Sequence, residues 1–208
     1  NTQETVVFKY LDTLKSKKRL NHQCEYFAEI RSQIKVSLKL YQQAPQSETR
    51  SDSDSDFEAE KCIDGDTDGP DAVPGVGGFI CHTEEEPTPW IAIDYGKTVT
   101  VQRVEIFNRV HCCGDRTKNV DIRVSNELPS SGSQMFSGGT RFGHFPGPAT
   151  NGQHIIISGQ KFCESSLLIN IPGQETSGRY VIVQMDNGGD PLNLQEVKAF
   201  GRATTLQL

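Results

Sequence analysis

The segment Pro89-Trp90-Ile91-Ala92-Ile93-Asp94-Tyr95-Gly96 predicts a core strand that ends in a turn. Apolar residues fill its first half, and Asp94 and Gly96 are residue types that turns favour. A short apolar run with a turn at its end is typical of a buried strand. Because Trp90 opens this run, we expect its indole ring to lie in the core rather than to stack on a ligand.

Similar short β patterns lie on both sides of this segment. Upstream, Ile34, Val36, Leu38 and Leu40 alternate with polar residues, as in a half-buried strand. Further strands are predicted at 101–107, 120–125, 154–157, 167–171, 179–184 and 196–201. Short strands separated by turn residues indicate an all-β fold, either an antiparallel sandwich or a barrel.

Two segments depart from this β pattern. Residues 1–32 contain no Gly or Pro and repeat apolar residues at helical spacing, which predicts an N-terminal extension of one or two amphipathic helices. This extension either packs on the domain, frays, or forms a short stalk that joins chains into a homo-oligomer. Residues 129–152 predict a long surface loop, with a specificity loop as the alternative. The β domain then spans 33–203, followed by a tail at 204–208.

Composition limits the classes of partner and compartment. The formal net charge of −6 argues against nucleic acid and anionic membranes as partners, because both call for a clustered basic surface. No apolar run is long enough to span a bilayer, and no secretory leader is visible; the first residue is Asn1, so we expect a processed product. The six cysteines form no Cys-x-x-Cys pair, which favours disulfides in a secreted, extracellular protein over zinc or thioredoxin-like chemistry.

The motif Asn-Arg-Val-His-Cys-Cys-Gly-Asp-Arg at 108–116 carries the functional prediction. Arg109 and Arg116 supply planar forks of donors that stay charged near neutral pH, so they are binding groups rather than proton-transfer groups. Between them, Cys112 and Cys113 are adjacent. Consecutive Cα atoms lie only ~3.8 Å apart, closer than ordinary disulfides prefer. These cysteines either form a strained bridge with a flat, apolar sulfur face, or each pairs elsewhere.

The spacing around this motif resembles the fucose-binding motif of the F-type lectins, also called fucolectins. His82 precedes Arg109 by 27 positions, and Arg116 follows Arg109 by seven. The family pattern is His-x26-Arg-x-Asp-x4-Arg/Lys, and the resemblance implies that the adjacent cysteines form a vicinal disulfide against the sugar. One position departs from the pattern, because the Asp of the family stands as His111 here.

The resemblance covers roughly residues 34–202 and implies a more definite fold. The segment at 89–96 is similar to a Pro-Trp-Trp-x-Val-Asp-Leu-Gly strand shared by F-type lectins and discoidin-like domains. The implied architecture is a jelly-roll-like antiparallel β-sandwich, with the sugar site formed by loops at one end.

Residues 61–71, Lys-Cys-Ile-Asp-Gly-Asp-Thr-Asp-Gly-Pro-Asp, are dense in carboxylates and turn residues. Alternating carboxylates suggest a calcium ion, although exposed Asp-Gly turns have the same composition. The run imitates only the first half of an EF-hand loop, since Gly75 stands where the terminal Glu is required. The resemblance to F-type lectins implies a structural calcium held by the carboxylates of Asp64 and Glu196. The remaining implied ligands are the backbone carbonyls of Lys61, Asp66 and Gln195.

Two departures from the family affect this region. Gln195 stands where family members often carry a cysteine, so Cys81 loses its expected partner. Cys62, two residues before Asp64, is the substitute candidate. The Gly- and Pro-rich loop at 69–78 is also longer than usual. It leaves open which apolar residue faces the methyl group of fucose. The candidates are Val73, Val76 and Phe79, and His111 is a further specificity candidate.

The predicted site fits a neutral sugar better than a reaction centre. An axial hydroxyl beside an equatorial one offers two acceptors for Arg109 and Arg116, while His82 donates to the same axial oxygen. A sugar with the wrong hydroxyl orientation would leave buried donors unpaired, at ~1 to 3 kcal/mol each. Glycosidases need a pair of carboxylates across the scissile bond, and this motif has none. We therefore predict a calcium-stabilised lectin, not an enzyme, that binds terminal α-L-fucose on glycans or glycoproteins.

Two other classes remain as alternatives. A discoidin-like adhesion module would bind phospholipid, protein or a different glycan through the same loops, and it would not need the His82, Arg109 and Arg116 triad. An enzyme, or a carbohydrate-binding module cut from one, is the other alternative. The short chain, in which we expect no second domain, argues against a hydrolase.

Overall fold

A computed structural model describes residues 46, 57–70, 72–73, 77–158, 169–172, 175–186 and 188–203. The predicted extension at 1–32, the strand at 34–40 and the tail at 204–208 lie outside these described residues, as do Cys24, Val76 and Cys163. The strands are β1 (Ala72–Val73), β2 (Gly77–Gly78), β3 (Cys81–His82), β4 (Trp90–Asn108), β5 (Val120–Ser125), β6 (Thr140–Phe145), β7 (His154–Ser158), β8 (Ile169–Pro172), β9 (Thr176–Met185) and β10 (Asn193–Ala203). Two short 3-10 turns cover Ala59–Cys62 and Gly114–Arg116.

Eight of these strands form one hydrogen-bonded sheet in the order β3-β10-β4-β9-β5-β6, with β7 pairing to β4 and β8 to β7. Every pair in this sheet is antiparallel except β7 with β8. The early part of β4 pairs with β9, and its later part pairs with β7 and β10. One long strand thus joins the two halves of an all-β sandwich, which confirms the predicted fold class.

β4 is longer than the sequence indicated, because the predicted turn at Asp94 and Gly96 does not end the strand. The β4–β9 register shifts between Asp94 and Val99, and Gly96 has a positive φ of 66°. The Gly96 N–H donates to Asp94 Oδ1 at 2.7 Å. Arg179 donates to both oxygens of the same carboxylate, and this hydrogen bonding holds the pKa of Asp94 below its usual value. The chain therefore bends here without leaving the sheet.

The core follows the alternation of the strands. Ile91 and Ile93 point into the main apolar cluster, while Trp90 and Ala92 lie in a second, smaller cluster on the other face. Both faces of this part of β4 are therefore buried, as its unbroken apolar run predicts. Trp90 is a core residue, as expected.

The predicted loop at 129–152 is wrong in part, because it contains the edge strand β6. Its buried residues Phe142 and Phe145 are three apart instead of two, since the β5–β6 register shifts between Ile122 and Arg123. A bulge of this kind breaks the strict alternation by which a strand is identified in sequence. Among the described residues, no helix is long and apolar enough to cross a membrane.

Candidate functional site

Strand β10 brings the predicted binding residues to one end of the sheet. His82 lies opposite Asn193 on one side of β10, and Asn108 lies opposite Leu194 on the other. The chain leaves β4 at Asn108 and enters residues 109–117, which we call the sugar-site loop. His82 and the start of this loop are therefore separated by the width of a single strand, although 27 positions separate His82 from Arg109 in sequence.

The His82 ring is buried, with 3% of the residue exposed. It packs against Phe57 at a centroid distance of 5.5 Å, and its Nδ1 lies 2.6 Å from the Thr83 carbonyl oxygen. A carbonyl oxygen only accepts, so Nδ1 must carry the proton, and Nε2 of the neutral ring is then an acceptor. His82 was expected to donate to a sugar oxygen, whereas the neutral ring with its Nδ1–H held by Thr83 offers Nε2 as an acceptor. A sugar hydroxyl would donate to it instead.

The adjacent cysteines are joined, so the first of the two alternatives for this pair is confirmed. Cys112 and Cys113 form a disulfide with a Cα–Cα distance of 3.8 Å, and both residues are half-buried. Cys113 adopts a left-handed conformation with φ of 57°, immediately before the 3-10 turn Gly114–Arg116. The two cysteines are therefore not part of the buried core.

The two arginines differ in their surroundings. Arg109 is 8% exposed, and its carbonyl accepts the Gly152 N–H at 2.8 Å. Arg116 is half-buried at the end of the 3-10 turn, and among the described residues no group hydrogen-bonds or ion-pairs with its guanidinium. The donors of Arg116 are thus available to a ligand. His111 lies on the loop surface between the arginines and is exposed.

Sequence reasoning missed the residues that hold this loop. Asn108, the last residue of β4, hydrogen-bonds through its side chain to Gly114, Thr117 and Thr150. Asn151 accepts the Gly114 N–H at 2.8 Å. Only the position of Asn108 next to Arg109 was visible in the sequence, because the contacts with Thr150 and Asn151 join segments about 40 residues apart.

The predicted calcium ligands come together in part. The Gly65 N–H, directly after Asp64, donates to Glu196 Oε2 at 3.1 Å, so the calcium loop at 61–70 lies against β10. Glu196 is 2% exposed, and burial raises the pKa of its carboxyl to about 8, with smaller contributions from the charges of Asp64 and Asp66. A buried carboxylate beside a carboxylate-rich loop is a group that a cation would stabilise.

The backbone also fits oxygen ligation. The β10–β4 register shifts between Leu194 and Glu196, so Gln195 occupies a β-bulge that leaves it outside the regular ladder with β4. Its carbonyl is therefore a candidate ligand, as predicted. Among the described residues, no three His, Cys, Asp or Glu side chains converge as a metal site. The predicted set has only two carboxylates, and it needs the backbone carbonyls of Lys61, Asp66 and Gln195 to be complete.

A second disulfide, between Cys62 and Cys81, links the calcium loop to the strand of His82. Its Cα–Cα distance is 5.3 Å, and both cysteines are buried. The substitute pairing predicted for Cys81 is confirmed. Of the candidates for the fucose methyl contact, the backbone of Val73 belongs to β1, and Phe79 is half-buried, with its carbonyl accepting Gln195 Nε2 at 3.2 Å.

Comparison with known proteins supports this fold. A family model described as a NedA-like, galactose-binding domain matches residues 61–155. Fucolectin-1 of Anguilla japonica is 33% identical over 89 residues, which cover 38% of this chain and 49% of that protein. The chain matches 29% of the length of a pentraxin fusion protein from Xenopus laevis, so it spans half or less of both curated relatives.

Two solved structures share the fold. The F-lectin (fucolectin) from striped bass (Morone saxatilis) serum superposes with a TM-score of 0.62 at 25% identity, covering 81% of this chain and 50% of that one. The lectin domain of lectinolysin, solved in complex with Lewis B antigen, gives a TM-score of 0.54 at 27% identity, covering 78% and 94%. In both cases the similarity extends over more than three quarters of the chain.

Proposed function

We propose that this chain, which belongs to the F-type lectin family, binds terminal α-L-fucose on glycans and glycoproteins through His82, Arg109 and Arg116. The chain is a carbohydrate-binding protein and not an enzyme. One observation supports the assignment to these residues most strongly. The register of β10 places buried His82 one strand away from a loop that carries a vicinal disulfide and a guanidinium available to a ligand.

The hydrogen-bond directions of the three residues complement each other. Arg109 and Arg116 can only donate, whereas neutral His82 accepts at Nε2 because its Nδ1–H is held by the Thr83 carbonyl. A hydroxyl can accept from an arginine and donate its proton to the histidine at the same time. A sugar hydroxyl that meets both types of group is therefore satisfied, whereas an anionic oxygen has no proton to give to Nε2.

The vicinal disulfide supplies an apolar surface beside these polar groups. Cys112 and Cys113 are half-buried, so part of the sulfur face is open to a ligand. The carbon face of a small sugar can pack on such a surface while its hydroxyls reach the arginines. The combination of directed polar groups and a small apolar wall is typical of small-molecule sites.

We further propose a structural calcium ion in the loop at 61–70, with Asp64 and Glu196 as its carboxylate ligands. Oxygen-only donor sets of carboxylates and carbonyls suit calcium. Burial raises the pKa of the Glu196 carboxyl to about 8, so a nearby cation would stabilise its charged form. The ion would tie the calcium loop to β10. Because Asn193 of β10 pairs with His82, the metal would support the sugar site through the strand and not by contact with the sugar.

The disulfides support secretion as the compartment. Among the described cysteines, all four are paired, two of them in a bridge between adjacent residues. Such bridges persist in oxidising surroundings and are rare in the cytosol. An extracellular lectin would meet fucosylated glycans on cell surfaces or on secreted glycoproteins.

Calorimetric titration with methyl α-L-fucoside tests the proposed function. Arg116→Ala should weaken binding at least about 100-fold, because it removes charge-assisted hydrogen bonds worth roughly 1.5–3 kcal/mol each. Its melting temperature should stay unchanged, since the guanidinium makes no described contact. Arg141→Ala is the matched control, because Arg141 is an exposed arginine that pairs with Asp121 on the β5–β6 hairpin. Wild-type affinity in Arg116→Ala would defeat the assignment.

A further inference from the structure

One buried amide side chain, that of Asn108, holds the backbone of the sugar-site loop. Asn108 is 1% exposed. Its Nδ2 donates to the carbonyl oxygens of Gly114 and Thr150, both at 2.9 Å. Its Oδ1 accepts the Thr117 hydroxyl at 2.8 Å. Both N–H groups and the oxygen of the amide are therefore used, and two of the three bonds end on the loop that carries Arg116.

Gly114 is the point where these contacts meet. Its N–H donates to Asn151 Oδ1 at 2.8 Å, while its carbonyl accepts from Asn108. A Cβ at this position would lie 2.7 Å from the Asn151 backbone nitrogen and 2.8 Å from Asn108 Nδ2. Such distances are too short for real side chains, so only glycine fits. Gly114, which directly follows the vicinal disulfide, is thus held by Asn108 on one side and by Asn151 on the other.

The ends of the loop are tied to the same neighbouring segment. At its start, the Arg109 carbonyl accepts the Gly152 N–H at 2.8 Å. At its end, the Thr117 carbonyl accepts the Ala149 N–H at 2.9 Å. The segment at 149–152 and Asn108 together enclose the loop from the side of the core. The face that carries Cys112, Cys113 and Arg116 is left half-buried.

We propose that Asn108 is a positioning residue for sugar binding, which keeps the vicinal disulfide and Arg116 in their binding arrangement before the ligand arrives. This inference rests on the proposed fucose-binding function. Asn108 does not touch the sugar, because its side chain ends on groups of the protein itself. It acts by reducing the loss of loop freedom on binding, and a loop that is already ordered gives tighter binding for the same contacts.

A comparison of Asn108→Ala with Gln184→Ala tests this role. Gln184 is an equally buried amide with the same number of bonds: it donates to the Thr88 and Gln134 carbonyls and accepts the Phe136 N–H. These bonds hold residues at 88 and 134–136, which lie outside the sugar-site loop. Both variants should lower the melting temperature, but only Asn108→Ala should weaken binding of methyl α-L-fucoside, by about tenfold or more, measured well below both melting temperatures.

Amide hydrogen exchange gives a readout that a loss of stability alone would not produce. In Asn108→Ala, exchange at the Gly114 amide should accelerate much more than exchange at the Phe136 amide, and in Gln184→Ala the order should reverse. If Asn108→Ala does not fold, Asn151→Ala serves instead. Asn151 is exposed, its side chain accepts the same Gly114 N–H, and its removal should weaken binding several-fold with little change in stability.

The outcomes separate the two proposals. If the wild type binds no fucoside, the proposed function fails, and the positioning role fails with it. If the wild type binds and Asn108→Ala or Asn151→Ala binds equally well, the function stands and the positioning role is wrong. Equal affinity losses in Asn108→Ala and Gln184→Ala would also overturn it, because both amides would then act only through overall stability.

Discussion

The sugar-site loop and the calcium loop are both short and polar, and both contain disulfide-bonded cysteines, yet they are held in opposite ways. In the sugar-site loop, Gly114 and Thr117 bond to partners outside the loop, namely Asn108, Asn151 and Ala149. In the calcium loop, the carboxylates bond mainly to their own backbone. Asp64 accepts from the Asp66 N–H, and Asp66 accepts from the N–H groups of Asp68 and Gly69.

This difference is the basis for predicting which loop depends on a ligand for its stability. The sugar-site loop has its buried polar groups satisfied and leaves the Arg116 donors for a ligand. The calcium loop reaches β10 through the Gly65 N–H, which donates to Glu196, and that carboxylate is buried beside other carboxylates. We therefore expect the sugar to bind to a preformed loop, and calcium to complete an unfinished one.

Removal of calcium should produce the largest change in stability. A metal that binds only the native state stabilises it by mass action, about 2.7 kcal/mol at a calcium concentration 100 times its Kd. For a chain of this size a chelator should then lower the melting temperature by roughly 5–10 °C. Calorimetric or fluorescence melting curves with and without chelator measure this. Glu196→Gln is the control, and its melting temperature should respond much less to the chelator. An unchanged wild-type melting curve would show that the calcium loop binds no calcium ion.

The pH dependence of the unfolding free energy of the metal-free protein provides a second test of the difference between the two loops. The folded pKa of Glu196 is about 8, above the ordinary value of 4.5 that applies when the chain is unfolded. Between these values the folded carboxyl holds a proton that the unfolded one has lost. The unfolding free energy in chelator should therefore fall as pH rises from about 5 to about 8. Denaturant unfolding at several pH values checks this, and Glu196→Gln should lack the slope. A wild-type slope of the opposite sign would contradict the burial of this group.

The sequence predicted the parts of this comparison that follow local patterns. Strand 120–125 was predictable from its strict alternation, and the Cys62–Cys81 pairing followed from the missing family cysteine at Gln195. Strand β3 was missed because two residues carry no periodicity. β6 was missed because a bulge places its buried phenylalanines three apart.

The details of the site depend on contacts that no local pattern contains. The acceptor role of His82 is set by the position of the Thr83 carbonyl relative to the ring, which only the folded backbone determines. The role of Asn108 depends on Thr150 and Gly114 reaching it from two different segments. A family motif identifies the residues that contact a ligand, but it does not identify the residues that hold them in position.

A smaller effect is expected at His111, where the family pattern has Asp. An acidic side chain between Arg109 and Arg116 would orient both guanidinium groups by charge-assisted hydrogen bonds. The exposed imidazole carries no negative charge and can do so only weakly. His111→Asp should therefore bind fucoside a few-fold more tightly at neutral pH, as calorimetric titration of the two proteins would measure. Equal or weaker binding by His111→Asp would show that His111 points away from the site or contacts the ligand itself.

A nuclear magnetic resonance titration with methyl α-L-fucoside tests the central claim most directly, because glycine amides report on both loops at once. Addition of the sugar to the calcium-loaded protein should shift the Gly114 amide and the Arg116 side-chain Nε–H, with little change at Gly65 and Gly69. That pattern would place the sugar on a preformed sugar-site loop and leave the calcium loop as a support. Shifts concentrated at Gly65 and Gly69, or none at Gly114 and Arg116 when the protein is saturated with fucoside, would contradict it.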